Sequence, residues 1–215
     1  MKKVFIISFF IISLLYTITT AKNSYNLSQK KLNSIASKYG EKAKKRAIIW
    51  DKTMQSVKGK DTLHKLKAVN DFWNKIRYRR DKAHWGKRDY WAAPFEFLGT
   101  GAGDCEDYAI AKYFSLRKLG IPEKKLRITY VKFLRKRTKF EEAHMVLTYY
   151  HKPGATPIVL DNINKKLKLA SKRKDLRPVY SFNASGLWQA KNKGRTSLRV
   201  GKNNLRNWKS LMNRI

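Results

Sequence analysis

The apolar positions change period along the chain. Residues 4–16 form a mostly apolar run behind Lys2 and Lys3. From Leu32 to Ile76 apolar residues recur every three or four positions. Leu32, Ile35, Ala36 and Tyr39 predict one helix, stopped by Gly40. Ala43, Ala47, Ile48 and Met54 predict a second. Leu63, Leu66, Val69, Phe72, Trp73 and Ile76 predict a third. Residues 81–103 carry Pro94 and four glycines, so an irregular segment is expected there. Its aromatic residues Trp85, Tyr90, Trp91, Phe95 and Phe97 either wall a cleft or pack as core beneath a loop. Helical spacing returns with Ala109, Tyr113, Leu116 and Leu119, in a helix that starts at Cys105 and stops at Gly120 and Pro122.

Beyond Pro122 the period drops to two. Residues 126–133, 143–150 and 157–161 read as β-strands, with a Lys152-Pro153-Gly154 turn before the third. Strands so close in sequence favour an antiparallel meander. Further short strands are expected near 167–169 and 178–183. Residues 191–203 are basic and glycine-punctuated and read as a mobile tail, followed by a short helix over 205–212. Helices, a cysteine at a helix start, then an antiparallel sheet make an α+β fold.

The first 21 residues read as a secretory signal: a basic start, a short apolar run, and the small-residue end Thr19-Thr20-Ala21. The run is shorter than the ~20 residues that span a bilayer. An uncleaved anchor is the alternative. The mature chain then begins near Lys22 in the periplasm, with no stable membrane insertion after cleavage. A helical part over 22–80, a core over 81–190 and a basic tail with a short helix over 191–215 complete the organisation. The length of 215 residues suits one domain with a small appendage.

Charge adds a question. The formal net charge is +34, with only 15 acidic residues. Such an excess points to an anionic partner, or to a solvated lysine-rich surface. The basic residues are spread along the chain, and no nucleic-acid motif is present, so no nucleic-acid partner is expected.

The sole cysteine, Cys105, stands in the acidic stretch Asp104-Cys105-Glu106-Asp107. An unpaired thiol in an exported chain is either reactive or a buried small hydrophobe. A helix N-terminus favours a thiolate, and Gly101 and Gly103 let the backbone turn and approach a substrate. A nucleophile needs a base and an orienting group. His64 lies in a helical stretch, His84 in the aromatic segment and His151 beside a turn. His144 alone lies inside a strand after the cysteine helix, on one face with Val146 and Thr148. Asp161 ends the next strand. Cys105, His144 and Asp161 can therefore form a triad; an edge-strand histidine and a turn-initiating aspartate are the plainer alternatives.

Several ordered blocks carry a resemblance. The stretches GDCEDYAIAKYFSLRKLGIP (103–122), EAHMVLTYY (142–150) and PIVLDN (157–162) resemble the bacterial transglutaminase-like cysteine proteinases, which include periplasmic adhesin-releasing proteases of the LapG type. WAAPFEFLGTGAG (91–103) and RPVYSFNASGLW (177–188) are similar too. The resemblance spans roughly residues 68–190. It implies a papain-like fold in the broad sense, and a triad at Cys105, His144 and Asp161. It implies cleavage of a large surface adhesin at a paired-alanine site near its N-terminal retention module, controlling attachment and biofilm release. An inner-membrane cyclic-di-GMP receptor that sequesters the protease is a further implied partner. A cell-wall amidase, a transglutaminase-like acyltransferase and a basic non-catalytic protein that binds envelope polymer or nucleic acid are the rival readings.

The acids beside the thiol have two readings. Asp104 can cap the helix, with Glu106 and Asp107 favourable in its first turn. Yet three carboxylates would disfavour the thiolate. A Ca²⁺ held by Asp104, Glu106 and Asp107 removes that conflict, and the resemblance implies calcium dependence through the acids flanking the cysteine, Asp104 and Glu106, with Asp107 adjacent. No EF-hand pattern is present.

Overall fold

The computed structural model describes residues 27–135, 140–191 and 196–215. The expected signal segment lies outside them. Among the described residues no helix is long and apolar enough to cross a membrane.

The three expected helices form. Helix α1 (Gln29–Tyr39) starts where Ser28 Oγ accepts the Lys31 N–H at 3.2 Å, and ends at Gly40. Helix α2 is Glu41–Ser56. Helix α3 (Thr62–Trp73) is capped by Asp61, which accepts the His64 N–H at 3.0 Å. Trp50 of α2 and Trp73 of α3 donate to one acceptor, Ser115 Oγ, at 3.1 and 2.9 Å. These bonds tie both helices to α6 (Cys105–Lys118), which is buried on most sides. Each large apolar side chain so buried contributes about 1.5–3 kcal/mol.

Residues 81–103 are more regular than expected. They hold α4 (Asp81–Trp85) and α5 (Pro94–Thr100). Pro94 begins α5 rather than breaking it, because the first helical position has no N–H bond to lose. Gly101 ends α5 in the left-handed conformation, at φ 69°. Arg46 of α2 donates to the Leu98 and Gly99 carbonyls at 2.7 and 2.5 Å, satisfying the end of α5. Strands β1 (Arg77–Tyr78) and β2 (Ala102–Gly103) then pair in parallel, placing Gly103 just before the cysteine helix.

Strands β3 (Leu126–Leu134), β4 (Glu141–Tyr149), β5 (Ile158–Leu160), β6 (Lys168–Leu169), β7 (Leu176–Phe182), β8 (Leu187–Lys191) and β9 (Thr196–Gly201) make one antiparallel sheet, ordered β6-β5-β4-β3-β7-β8-β9. Met145, Leu147 and Tyr149 of β4 join α6 in the main core. Val146 packs instead with Val131 and Val159 in a small second cluster. The expected mobile tail is corrected in part: residues 196–201 pair with β8 as an edge strand. Leu198 and Val200 alternate with Ser197 and Arg199; all four are exposed, and Arg199 places a charge on this edge. Helix α7 (Arg206–Met212) buries Trp208 and Leu211 against the core.

Candidate active site

One cleft of about 590 Å³ is lined from the segments on either side of α4, the start of α6, the middle of β3, β4 and β7, and the start of α7. Cys105, His144, Tyr130, Tyr180 and Trp91 line it. Of the five aromatics in residues 81–103, Trp91 forms part of this wall, stacking on Phe182 at 5.4 Å, while Phe97 lies in the core against Trp73. Tyr130 stacks on Tyr180 at 5.1 Å, across the β3–β7 pairing.

His144 is 4% exposed and stands opposite Val131 in the β3–β4 register. Its Nε2 lies 2.8 Å from Asp161 Oδ1. Pairing of Leu147 with Leu160 brings the end of β5 beside β4 and so delivers Asp161. Asp161 Oδ1 also accepts the Ile163 N–H at 2.9 Å, and Oδ2 accepts from Arg173 Nη2 at 2.7 Å. Burial works to raise the Asp161 pKa. The bond and charge of His144, the Ile163 N–H and the Arg173 charge outweigh it and hold the carboxyl well below the ordinary range. With Nε2 committed to Asp161, the Nδ1 nitrogen is the one left to serve a proton donor.

Cys105 opens α6 and is half-buried. Its thiol donates to Glu106 Oε2 at 3.0 Å. Burial pushes the thiol pKa well up, and the charge and hydrogen bond of Glu106 and the charge of Asp104 add to this; the Met145 N–H opposes them. The other three histidines are elsewhere. His64 pairs with Asp61 on the surface, and His84 packs against Trp85.

The acids divide by role. Asp107 acts structurally, accepting the Ala92 N–H on Oδ1 at 2.8 Å and the Asp104 N–H on Oδ2 at 3.2 Å. The second is the reciprocal bond of a capping box. Asp104 is the N-cap by position but makes no side-chain cap bond. Its Oδ2 takes the Asp81 N–H at 3.4 Å, and its Oδ1 is buried without a partner. Asp81 Oδ1 is buried and unpartnered as well. Ligand atoms of Asp81, Asp104 and Asp107 lie within 4.8 Å of one another, as do those of Asp81, Asp89 and Glu106, and those of Asp104, Cys105 and Glu106. Burial drives Asp104 up to about 10, with further push from the charge and hydrogen bond of Glu106 and from Asp107 and Asp81. Burial drives Asp81 up to about 6, against the N–H of Tyr90. Burial likewise raises Asp107. A group of carboxylates that repel one another and keep orphan oxygens suits a hard divalent cation.

Asp81 and Asp89 extend the acidic set beyond Asp104, Glu106 and Asp107. Their signal in the sequence is rarity: both are carboxylates in a strongly basic chain, and both lie in the segment that leads to the cysteine.

Residues 37–184 match the family model of the bacterial transglutaminase-like cysteine proteinases. No match was found among curated proteins. Three solved structures of LapG from Legionella pneumophila superpose on the chain. The EGTA-treated form is 41% identical, over 87% of this chain and 97% of that one, with a TM-score of 0.74. The calcium-bound form is 41% identical, over 87% and 99%, with a TM-score of 0.73. A third LapG structure is 40% identical, over 87% and 97%, with a TM-score of 0.72.

Proposed function

The chain belongs to the bacterial transglutaminase-like cysteine proteinases, and on that premise we propose that it is an exported, calcium-dependent endopeptidase that cuts a large surface adhesin. The observation that carries this reading is the convergence of Cys105 and the His144–Asp161 pair on one cleft, with carboxylates crowded against the thiol.

In this mechanism Cys105 is the nucleophile. His144 accepts the thiol proton on Nδ1 while Asp161 holds the proton on Nε2. The thiolate adds to the scissile carbonyl, and the oxyanion meets backbone N–H groups at the start of α6. His144 then protonates the leaving amine, and the C–N bond breaks. Water, deprotonated by His144, releases the acyl group from sulfur.

Asp81, Asp89, Asp104 and Glu106, with Asp107 behind them, would hold Ca²⁺. A bound Ca²⁺ would supply positive charge that offsets these carboxylates and so lowers the cost of forming the Cys105 thiolate. The matched LapG structures, one calcium-bound and one EGTA-treated, support calcium as the ion.

Cleavage near the N-terminal retention module of the adhesin, at a paired-alanine site, would release it from the cell surface and end attachment. An inner-membrane cyclic-di-GMP receptor is the proposed restraint on the enzyme. The test is incubation of the mature protein with N-terminal fragments of adhesins from the same cell. One cut that is lost with Cys105→Ala and with a chelator supports the proposal. A cut that survives the chelator removes calcium from it. No cut of any adhesin fragment removes the adhesin and returns the chain to wall-amidase or acyltransferase chemistry.

A further inference from the structure

Behind the His144–Asp161 pair lies a second buried ion pair. Arg173 sits at the end of a short 3₁₀ turn (Ala170–Lys172), just ahead of β7, and is 2% exposed. Its Nη2 donates to Asp161 Oδ2 at 2.7 Å and to Asp175 Oδ2 at 2.8 Å. Its Nε donates to Asp175 Oδ1 at 2.9 Å. Asp175 thus grips one edge of the guanidinium, and the Nη2 corner reaches on to Asp161. Asp175 is itself anchored, because its carbonyl accepts the Leu134 N–H at 2.8 Å at the end of β3.

The Asp161 carboxylate is thereby fixed on every side. Oδ1 faces His144 Nε2 and takes the Ile163 N–H, Oδ2 faces Arg173, and the backbone carbonyl accepts from Asn74 Nδ2 at 2.9 Å. The charged and titratable groups around Asp161 are His144 from β4, Arg173 ahead of β7 and, from α6, the buried Lys112. Asp175 lies beyond Arg173. A buried arginine–carboxylate pair rarely adds net stability over an apolar pair. Here Asp161 has another partner, so the arginine has a chemical consequence.

We propose that Arg173 is a positioning residue: acting through Asp161, it fixes the orientation of His144. Asp161 Oδ1 meets Nε2 only while the carboxylate plane is held, and the Arg173 guanidinium holds Oδ2 at 2.7 Å. Without that bond the carboxylate can turn about its Cβ–Cγ bond, Nε2–H loses its fixed acceptor, and Nδ1 is no longer kept ready to take the Cys105 proton. The inference rests on the reading of His144 as the base for Cys105.

The test follows the His144 ring nitrogens by NMR in the full mature chain, with His144→Ala to assign the signal, in wild type and in Arg173→Met, Arg173→Lys and Asp175→Asn. The wild type is expected to hold the neutral Nε2–H form. Arg173→Met is expected to weaken the Nε2–H bond to Asp161, seen as an upfield move of that proton and a mixture of Nε2–H and Nδ1–H forms. Arg173→Lys keeps a charge and should retain Nε2–H. Alkylation of Cys105 by iodoacetamide at a single neutral pH should fall at least about tenfold in Arg173→Met and recover in Arg173→Lys. If Arg173→Met does not fold, Asp175→Asn and Arg173→Lys carry the test. An Nε2–H His144 and wild-type alkylation in every folded variant would overturn the proposal. If His144→Ala alkylates like wild type, the underlying reading fails instead.

Discussion

His144 Nε2 lies 2.8 Å from Asp161 Oδ1, with both side chains essentially closed to solvent. The pair couples β4 to the end of β5 and leaves one imidazole nitrogen for the thiol. Asp161→Asn keeps the shape but presents an amide that can donate to Nε2. This change should lower kcat by ~10⁴, as expected when an orienting carboxylate becomes an amide that selects the wrong tautomer. KM should change little. Steady-state kinetics on a cleaved peptide or adhesin fragment checks both.

The acidic cluster predicts a pH dependence. Burial and mutual repulsion raise the folded pKa of Asp81 to about 6 and of Asp104 to about 10. For a carboxyl raised on folding, stability is fully present below the unfolded value of about 3.9 and is lost as pH rises through the folded value. The metal-free protein should therefore lose Tm steadily from about pH 5 to pH 8. Calcium should flatten that slope. At a hundredfold excess over Kd it should add about 2.7 kcal/mol, or roughly 5–10 °C in Tm. Calorimetry with Ca²⁺ and with chelator checks this.

Asp161 gives the opposite sign. Its folded pKa is held below the ordinary value, by His144, the Ile163 N–H and Arg173 against burial. Its stabilisation is fully present above about pH 3.9 and is lost as pH falls toward the folded value. Asp161→Asn should remove this part of the acid transition, seen as a flatter Tm profile below about pH 4.

Gly103 is required for space. A Cβ there would stand 2.3 Å from Asp107 Oδ2 and 2.8 Å from the Phe97 ring. Phe97 is fully buried, and Asp107 holds two backbone N–H groups. Neither can move without cost. Gly103→Ala should destabilise by about 1–3 kcal/mol, and should displace the start of α6 and its thiol. Denaturant titration gives the first effect, and the alkylation rate of Cys105 the second.

Lys112 is fully buried on α6, and its Nζ has no hydrogen-bond partner. Burial lowers its pKa to about 7, against the attraction of Asp161 and Asp71. For a lysine depressed in this way, stability is present above the unfolded value of about 10.4 and is lost as pH falls to the folded value. Lys112→Met should therefore stabilise the protein at about pH 7, by ~4 kcal/mol at most, and by less near pH 10, with Tm rising accordingly. Thermal scans at the two pH values check it.

Much of this fold is legible from periodicity. The α1 stop at Gly40, the α6 start at Cys105 and the strand holding His144 each follow from local rules. Helix α5 was hidden, because Pro94 and Gly99 argue against a helix unless Pro falls at its first position and Tyr39 packs where a Cβ would go at Gly99. Strand β9 was hidden for another reason: its two apolar residues, Leu198 and Val200, stand in a short stretch between basic and glycine-bearing flanks, and an edge strand needs no buried face. At the site, chain order places Cys105, His144 and Asp161 on the right elements. Arg173 and Asp81 become functional neighbours only through long-range packing, which no spacing rule encodes. Asp104 carries two readings in sequence, helix cap and calcium ligand; its orphaned oxygen appears only in three dimensions.

Joint activation of Cys105 by His144 and calcium is read most directly on the thiol itself. Because Cys105 is the only thiol in the chain, iodoacetamide alkylation followed by mass spectrometry reports on it alone. Rapid alkylation is expected for the calcium-loaded wild type at neutral pH, and slow alkylation both with chelator and in His144→Ala. Equal rates in all three samples would contradict joint activation.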